Sequence, residues 1–306
     1  MNVAQAQLLQ AADDAGAQLI CLGDPGYPAL LSAIPDPPPH LYVRGDASVL
    51  QQPQIAIVGS RKASPAGLRA ADNLVRELVE AGLHICSGLA LGVDAAAHRA
   101  ALQAGGKSIA VMACGIDRIY PARHQGLARQ LENAGCVITE FPPGTPPARR
   151  HFPQRNRLIS GLSLGVLVVE AALPSGTLIT AATATAQGRE VFALPWSIFH
   201  EGGRGCLYLI KDGAKMVLAV EDILEELGSL FRLQQESMAV CPSPEAVQHS
   251  LRPALQALMT LVGFEVTTLE AITEASGLPI GQVLAGLSEL ELTGSVNQCP
   301  GGYIRC

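Results

Sequence analysis

The chain has 306 residues, 48% hydrophobic and 16% charged, with 31 glycines and 21 prolines; this suits one large α/β core plus a smaller module and excludes a mostly disordered chain. Its formal net charge of −6 excludes a nucleic-acid binder coated in positive charge, so any recognition of phosphates must be local. No apolar run reaches the roughly 18 residues of a membrane span, because 161–173 is broken by Ser163 and Glu170. The start of the chain also lacks the basic and apolar blocks of a signal peptide, which points to the cytoplasm.

Residues 1–53 read as a short helical stretch followed by a Pro-rich arm, Ile34-Pro35-Asp36-Pro37-Pro38-Pro39. Its prolines forbid helix, and it leads through Leu41-Tyr42-Val43 onto the next domain. Over 54–233 short β-branched runs alternate with helical patterns, the order of a parallel sheet with crossover helices. Strands are predicted at 55–58, 83–86, 108–112, 137–140, 166–169 and 191–194, and helices at 66–80, 93–103, 127–133 and 178–186. The strand runs are apolar on successive residues, as they must be when helices cover both faces. Residues 234–250, rich in Gln, Ser, Pro and Glu, read as a linker. Over 251–306 three helical patterns precede two strand-like pieces around Pro300-Gly301-Gly302, the outline of a winged helix. The third of these helices has no Lys or Arg and carries Glu289 and Glu291, so it cannot neutralise phosphates in a groove.

The eight cysteines include no Cys-x-x-Cys pair and read as reduced core thiols. The seven histidines lack partners at ligand spacing, so no metal is expected, and no cofactor either. In an open parallel sheet, ligands bind beyond the carboxyl ends of the strands. There the chain places Gly59-Ser60-Arg61, Ser87-Gly88-Leu89-Ala90-Leu91-Gly92-Val93-Asp94, Ala113-Cys114-Gly115, and Glu170 onward to Ser175-Gly176-Thr177. Small residues let amides and hydroxyls approach an anion, and helix dipoles add to the attraction. Gly88 and Gly92, taken singly, are equally explained by plain turn geometry. The basic run over 149–157, RRHFPQRNR, is either a phosphate-contacting patch or a solvated loop.

These loops carry a resemblance. The blocks Ile57-Val58-Gly59-Ser60-Arg61, Ser87-Gly88-Leu89-Ala90 with Gly92-Val93-Asp94 and His98, Ile119-Tyr120-Pro121, Phe152-Pro153-Gln154-Arg155-Asn156-Arg157, Ser175-Gly176-Thr177 and Gly188-Arg189-Glu190-Val191 resemble those of the DprA/Smf family. The likeness runs from about 27 to 227 and extends to Pro300-Gly301-Gly302-Tyr303. It implies an extended, doubly wound Rossmann-like α/β fold with a small C-terminal winged-helix domain. It also implies single-stranded DNA in a positively charged crevice, a homodimer through the same domain, and loading of RecA onto incoming strands during transformation.

Taken with the loop reading, the resemblance places DNA or phosphate contacts on Gly59, Ser60, Arg61, Ser87, Gly88, Ala90, Gly92, Arg123, Phe152, Arg155, Asn156, Arg157, Ser175, Gly176 and Thr177. Family members often carry lysine directly after the Tyr-Pro pair; here Ala122 stands there and Arg123 is the substitute. Asp94 and His98, four apart on one helix, are read with Glu170 as structural support that pins loop and helix. Asn156 either touches a ligand or ties a loop to backbone carbonyls. Of Arg155 and Arg157 only one need face DNA, the other pairing with an acid such as Glu140 or Glu170. Phe152 either stacks on a base or, with Pro153 opening a helix, anchors the core.

No enzyme is expected. A phosphoribohydrolase would need a carboxylate beside a Pro-Gly-Gly phosphate loop at a central strand, and the Pro-Gly-Gly here sits in the terminal hairpin. The turn Gly59-Ser60-Arg61-Lys62-Ala63 does not supply a dinucleotide fingerprint. A protein-docking scaffold is the other rival; Arg61 and the basic run speak against it. Dimerisation is expected through 178–230, which is helix-rich, poor in charge before Glu221, and includes Trp196, Phe199 and Tyr208.

Overall fold

A computed structural model describes residues 3–228 and, beyond them, 255, 258, 259, 261, 262, 266–292, 296–299 and 301–305. The chain separates into two compact units, Met1–Met238 and Ala239–Cys306. The expected linker over 234–250 lies outside the described residues.

The first unit is built on a nine-stranded sheet in the order β1-β2-β6-β5-β4-β3-β7-β8-β9. The strands are β1 (Gln18–Cys21), β2 (His40–Gly45), β3 (Gln54–Val58), β4 (His84–Ser87), β5 (Ser108–Val111), β6 (Cys136–Thr139), β7 (Gly165–Val168), β8 (Glu190–Ala193) and β9 (Lys215–Met216). From β6 to β9 every neighbouring pair is parallel. The connections are α3 (Pro65–Glu80), α4 (Val93–Gln103), α5 (Gln125–Ala134), α6 (His151–Leu162), α7 (Gly176–Ala186) and α8 (Arg204–Lys211), with α1 (Val3–Asp14) and α2 (Ala29–Ser32) ahead of them. A further helix occupies 220–228.

The apolar strand runs explain the layering. In β3 all five residues are buried, and successive side chains go to opposite faces. Ile55 and Ile57 pack with Ala71, Val75 and Leu78 of α3 and Ala97 and Ala101 of α4. Ala56 and Val58 pack with Leu158, Ile159 and Leu162 of α6 and Ala181 and Ala184 of α7. A third cluster joins Tyr42, Ala110, Met112 and Val137 to Leu127, Ala128 and Leu131 of α5. The chain builds outward from β3 through β4, β5 and β6, then returns to place β7 on the other side of β3. That reversal opens a crevice beyond the carboxyl ends of β3 and β7.

Two expectations need correction. Residues 1–53 do not form an arm outside the doubly wound domain: β1 and β2 are strands of the sheet, and β2 pairs antiparallel with β6 from Tyr42↔Thr139 to Gly45↔Cys136. Leu41, Tyr42 and Val43 are fully enclosed, because the edge of a parallel sheet is shielded by adding antiparallel strands to it. The basic run is not a loop either, since from His151 it is the first half of α6.

In the second unit α9 (Leu269–Ser276) is capped by Thr268, whose hydroxyl accepts from the Ala271 amide at 3.3 Å. It ends at Gly277 in the left-handed region, φ +64, before α10 (Ile280–Leu292). A hairpin follows, β10 (Val296–Cys299) with β11 (Gly302–Arg305), and Tyr303 also pairs with Thr267. Leu258, Ile272, Val283, Leu287 and Val296 form its core.

Candidate functional site

The crevice is a cavity of about 670 Å³. The turn after β3 supplies Gly59, Ser60 and Arg61; the loop after β4 supplies Ala90 and the first turn of α4 supplies Asp94; the start of α7 supplies Ser175, Gly176 and Thr177; α6 and the residues before it supply Arg149, Phe152, Arg155 and Asn156. Tyr120 closes one side. Arg149 and Tyr120 were missed as site residues. Arg149 lay in the basic run, but only the assembled fold brings that end of the run to the crevice.

Phe152 is the centre of the arrangement. The Arg61 guanidinium lies 5.1 Å and that of Arg155 6.0 Å from its ring centroid, and the Tyr120 ring is 5.8 Å away at 59°. Phe152 is half-buried, while Arg61 and Tyr120 are exposed. On the opposite wall Ser175 caps α7, its hydroxyl accepting from the Thr177 amide at 3.2 Å. The Gly176 amide, at the first helical position, has no intrahelical acceptor and points out of the helix at its positive end.

The support behind these groups is buried. Arg155 is 3% exposed and donates through Nη1 to the Val111 carbonyl at 2.7 Å. Burial lowers its pKa from the usual arginine value, opposed mainly by the charge of Asp94. Burial raises the pKa of the Asp94 carboxyl, which Arg155 and the amides of Ala90 and Gly88 offset in part. Asp94 and His98 do not bond to one another. Asp94 accepts from the Ala90 amide at 3.3 Å, and His98 Nδ1 lies 2.7 Å from the Ser108 hydroxyl. Glu170 accepts from the Ser64 hydroxyl at 2.6 Å and from its amide at 3.1 Å, fixing the cap of α3. All three thus hydrogen-bond to backbone or side-chain groups of the scaffold, and Asp94 also lines the crevice. His124 adds another: its Nδ1 is 2.9 Å from the carbonyl of Leu89, which has φ +56 in the loop after β4.

Five expected contacts do not line the crevice. Ser87 is buried and its hydroxyl donates to the Ile57 carbonyl at 2.6 Å. Gly88 lies behind Arg155, where a Cβ would overlap Nη1 of that guanidinium. Gly92 has φ +74 and abuts the Ser60 carbonyl, so it serves the turn. Arg157 points away from the cavity, paired with Glu140 and with Asp36 at 3.4 Å. That outcome follows from helix geometry, which sets Arg155 and Arg157 about 200° apart. Arg123 lines a neighbouring groove instead. The Ser60 amide is also engaged, donating to the Glu170 carbonyl at 2.7 Å.

The crevice thus gathers three arginines, one aromatic platform and one helix N-terminus around a single, charge-compensated carboxylate, Asp94. It can hold anionic groups against guanidinium donors and a flat apolar group against Phe152. Glu170, the carboxylate a hydrolase would use, is not among its lining residues. Among the described residues, no group of three or more His, Cys, Asp or Glu could hold a metal ion, and no helix is long and apolar enough to cross a membrane. Burial pushes the thiol of Cys86 up to about 12 and that of Cys114 up to about 11, so these cysteines stay protonated.

A doubly wound sheet with this crevice at its strand reversal defines a Rossmann-like ligand-binding protein. Comparison with known proteins shows its family. Residues 18–228 match the model of DNA recombination-mediator protein A, and residues 242–302 match the DprA winged-helix domain. The chain is 44% identical to Protein Smf of Escherichia coli over 292 residues, covering 91% of this chain and 75% of that one. It is 45% identical to the DNA processing protein DprA of Streptococcus pneumoniae over 203 residues, 66% of this chain and 72% of that one. The X-ray structure of the S. pneumoniae protein superposes with a TM-score of 0.69 at 42% identity, over 72% of this chain and 77% of that one. A Helicobacter pylori DprA structure, described for its single-stranded DNA binding mode, superposes with a TM-score of 0.63 at 30% identity, over 70% of this chain and 98% of that one. The chain belongs to the DprA/Smf family of DNA-processing proteins.

Proposed function

We propose that the protein binds single-stranded DNA in this crevice without reading its sequence and hands the strand to a RecA-type recombinase during DNA uptake. The observation that carries the reading is the convergence of Arg61 and Arg155 on Phe152, with Arg149 lining the same cavity, whose one acid is already compensated. Guanidinium groups suit phosphates, and an aromatic face stacks on any base. No element of the crevice offers a helix to a major groove, so duplex has no comparable footing. The description of the family as a recombination mediator supports the hand-over to a recombinase, and the H. pylori relative supports the strand as ligand.

In this reading the protein is cytoplasmic, acts as a homodimer and is no enzyme. Neither a scaffold without DNA nor a nucleotide hydrolase accounts for arginines gathered around an aromatic ring with Glu170 turned to the cap of α3. The test compares single- and double-stranded DNA of mixed sequence by gel shift at two salt concentrations. Preference for the single strand, weakening with salt on a shallow slope because few phosphates are neutralised, is expected. Equal affinity for duplex overturns the reading. Release of free base from nucleoside monophosphates would restore the hydrolase.

A further inference from the structure

We propose that a second, basic groove beside the crevice carries the phosphodiester backbone of the same single strand onward along α4, holding phosphates without touching bases. The proposal rests on the crevice reading above. A hollow of about 450 Å³ shares Arg61 with the crevice and adds Lys62, Arg99 and Arg123. A further one of about 550 Å³ shares Arg99 and Arg123 and continues past Gln103 of α4 and Gln130 of α5. The three hollows are therefore linked end to end through common arginines.

The charge pattern is what makes this a lane rather than a surface dent. Several cations elsewhere have carboxylates within 4 Å, Arg44 with Glu132, Arg76 with Asp72, Lys107 with Asp46, Arg204 with Glu201 and Lys215 with Glu226, while others such as Arg129 and Lys211 have none among the described residues. Among the described residues Arg61, Lys62, Arg99 and Arg123 have none, and no Asp or Glu lines either hollow. A protein with a net charge of −6 leaves cations together and unpaired only against mutual repulsion, and an anion relieves it.

The lane differs from the crevice in one chemical respect. It has no Phe, Tyr or Trp, and its one ring, His124, is buried and held on the Leu89 carbonyl. Bases find no platform there, so the ligand it fits is a bare run of phosphates. The 11 residues of α4 span roughly 16 Å at about 1.5 Å per residue. With phosphates at least about 3.4 Å apart along a strand, that holds a few beyond the crevice.

The test uses the full chain and oligothymidylates of about 4 to about 16 nucleotides, the span of site sizes for such grooves, with a double variant Arg99→Gln/Arg123→Gln. Parent protein should gain affinity as the oligomer outgrows the crevice. The variant should melt like the parent and match it on the shortest oligomer bound, yet lose about tenfold or more on the longest. Its salt slope there should be shallower by about 1.4, two contacts at about 0.7 each. A tail of abasic sites should retain the length gain. Parent-like binding of long oligomers by the variant overturns the lane and leaves the crevice standing. Equal loss on short and long oligomers, or a gain that vanishes with abasic tails, also overturns it. If the parent binds no oligomer of any length, the crevice reading itself fails and the lane falls with it.

Discussion

The guanidinium of Arg61 lies over the ring of Phe152, 5.1 Å from its centroid, although the two residues are brought from the β3 turn and from the first turn of α6. The contact holds a side chain that has no carboxylate partner at the junction of two basic hollows. With an exposed cation over a half-buried ring, such a contact contributes about 0.5 to 1 kcal/mol, enough to bias the arginine without fixing it.

Replacing Arg61 by Ala should weaken single-strand binding by more than tenfold. A charged hydrogen bond to phosphate is worth about 1.5 to 3 kcal/mol, a tenfold to hundredfold change. Because Arg61 is exposed, the melting temperature should hold. Arg61→Lys should recover little, having no planar fork. Fluorescence anisotropy with a labelled oligomer reads both affinities and a thermal melt reads the stability; parent-like binding by Arg61→Ala would move the site to Arg149.

Phe152→Ala should cost about 1 to 3 kcal/mol of binding through lost stacking, whereas Phe152→Trp should bind at least as tightly as the parent. Since Phe152 is only half-buried, calorimetric melting should change little. A large fall in melting temperature with unchanged binding would make Phe152 a core anchor.

Arg155→Ala should behave differently from Arg61→Ala. It leaves the buried carboxyl of Asp94 without the cation that opposes its desolvation, and removing one member of a buried charged set costs about 3 kcal/mol or more. At about 2 to 4 °C per kcal/mol for a unit of this size, melting should fall by roughly 6 to 12 °C. A variant as stable as the parent would show that Arg155 serves the ligand rather than the scaffold.

Acid should destabilise the protein through its enclosed histidines. Burial holds the His98 imidazole down to about 3, and it also lowers His40 and His84. Between about pH 6.5 and 3 the unfolded chain binds a proton at His98 that the native state refuses, so stability is intact above 6.5 and declines as pH falls, by at most about 1.4 kcal/mol per unit. Urea titrations at neutral and mildly acid pH should show the decline, and His98→Gln should flatten it. An unchanged slope in that variant would assign the effect elsewhere.

The proposed dimer should form through the end of the first unit, where Phe199 is 88% and Leu218 72% exposed, near Ile198 and Met216. Light scattering should give a dimer at micromolar concentration, and Phe199→Glu with Leu218→Glu should give a folded monomer. A monomeric parent would count against this surface.

The core of the fold was legible from residue order because strands covered on both faces must be apolar at every position; β3, β5 and β7 are of that kind, and α4 spans the predicted 93–103. Turns demanding small residues were legible for the same local reason. What stayed hidden has no local signature. The inward face of α6 carries Arg155, so its periodicity is masked by a buried cation whose neutralising partners come from β5 and α4. The strand β2 follows a run of prolines, and its pairing with β6 depends on contacts about a hundred residues away along the chain. The division of labour among the arginines is likewise tertiary: one helix turn sends Arg155 beneath the crevice and Arg157 to Glu140, and only the assembled sheet brings Arg61, Arg149 and Phe152 to one opening.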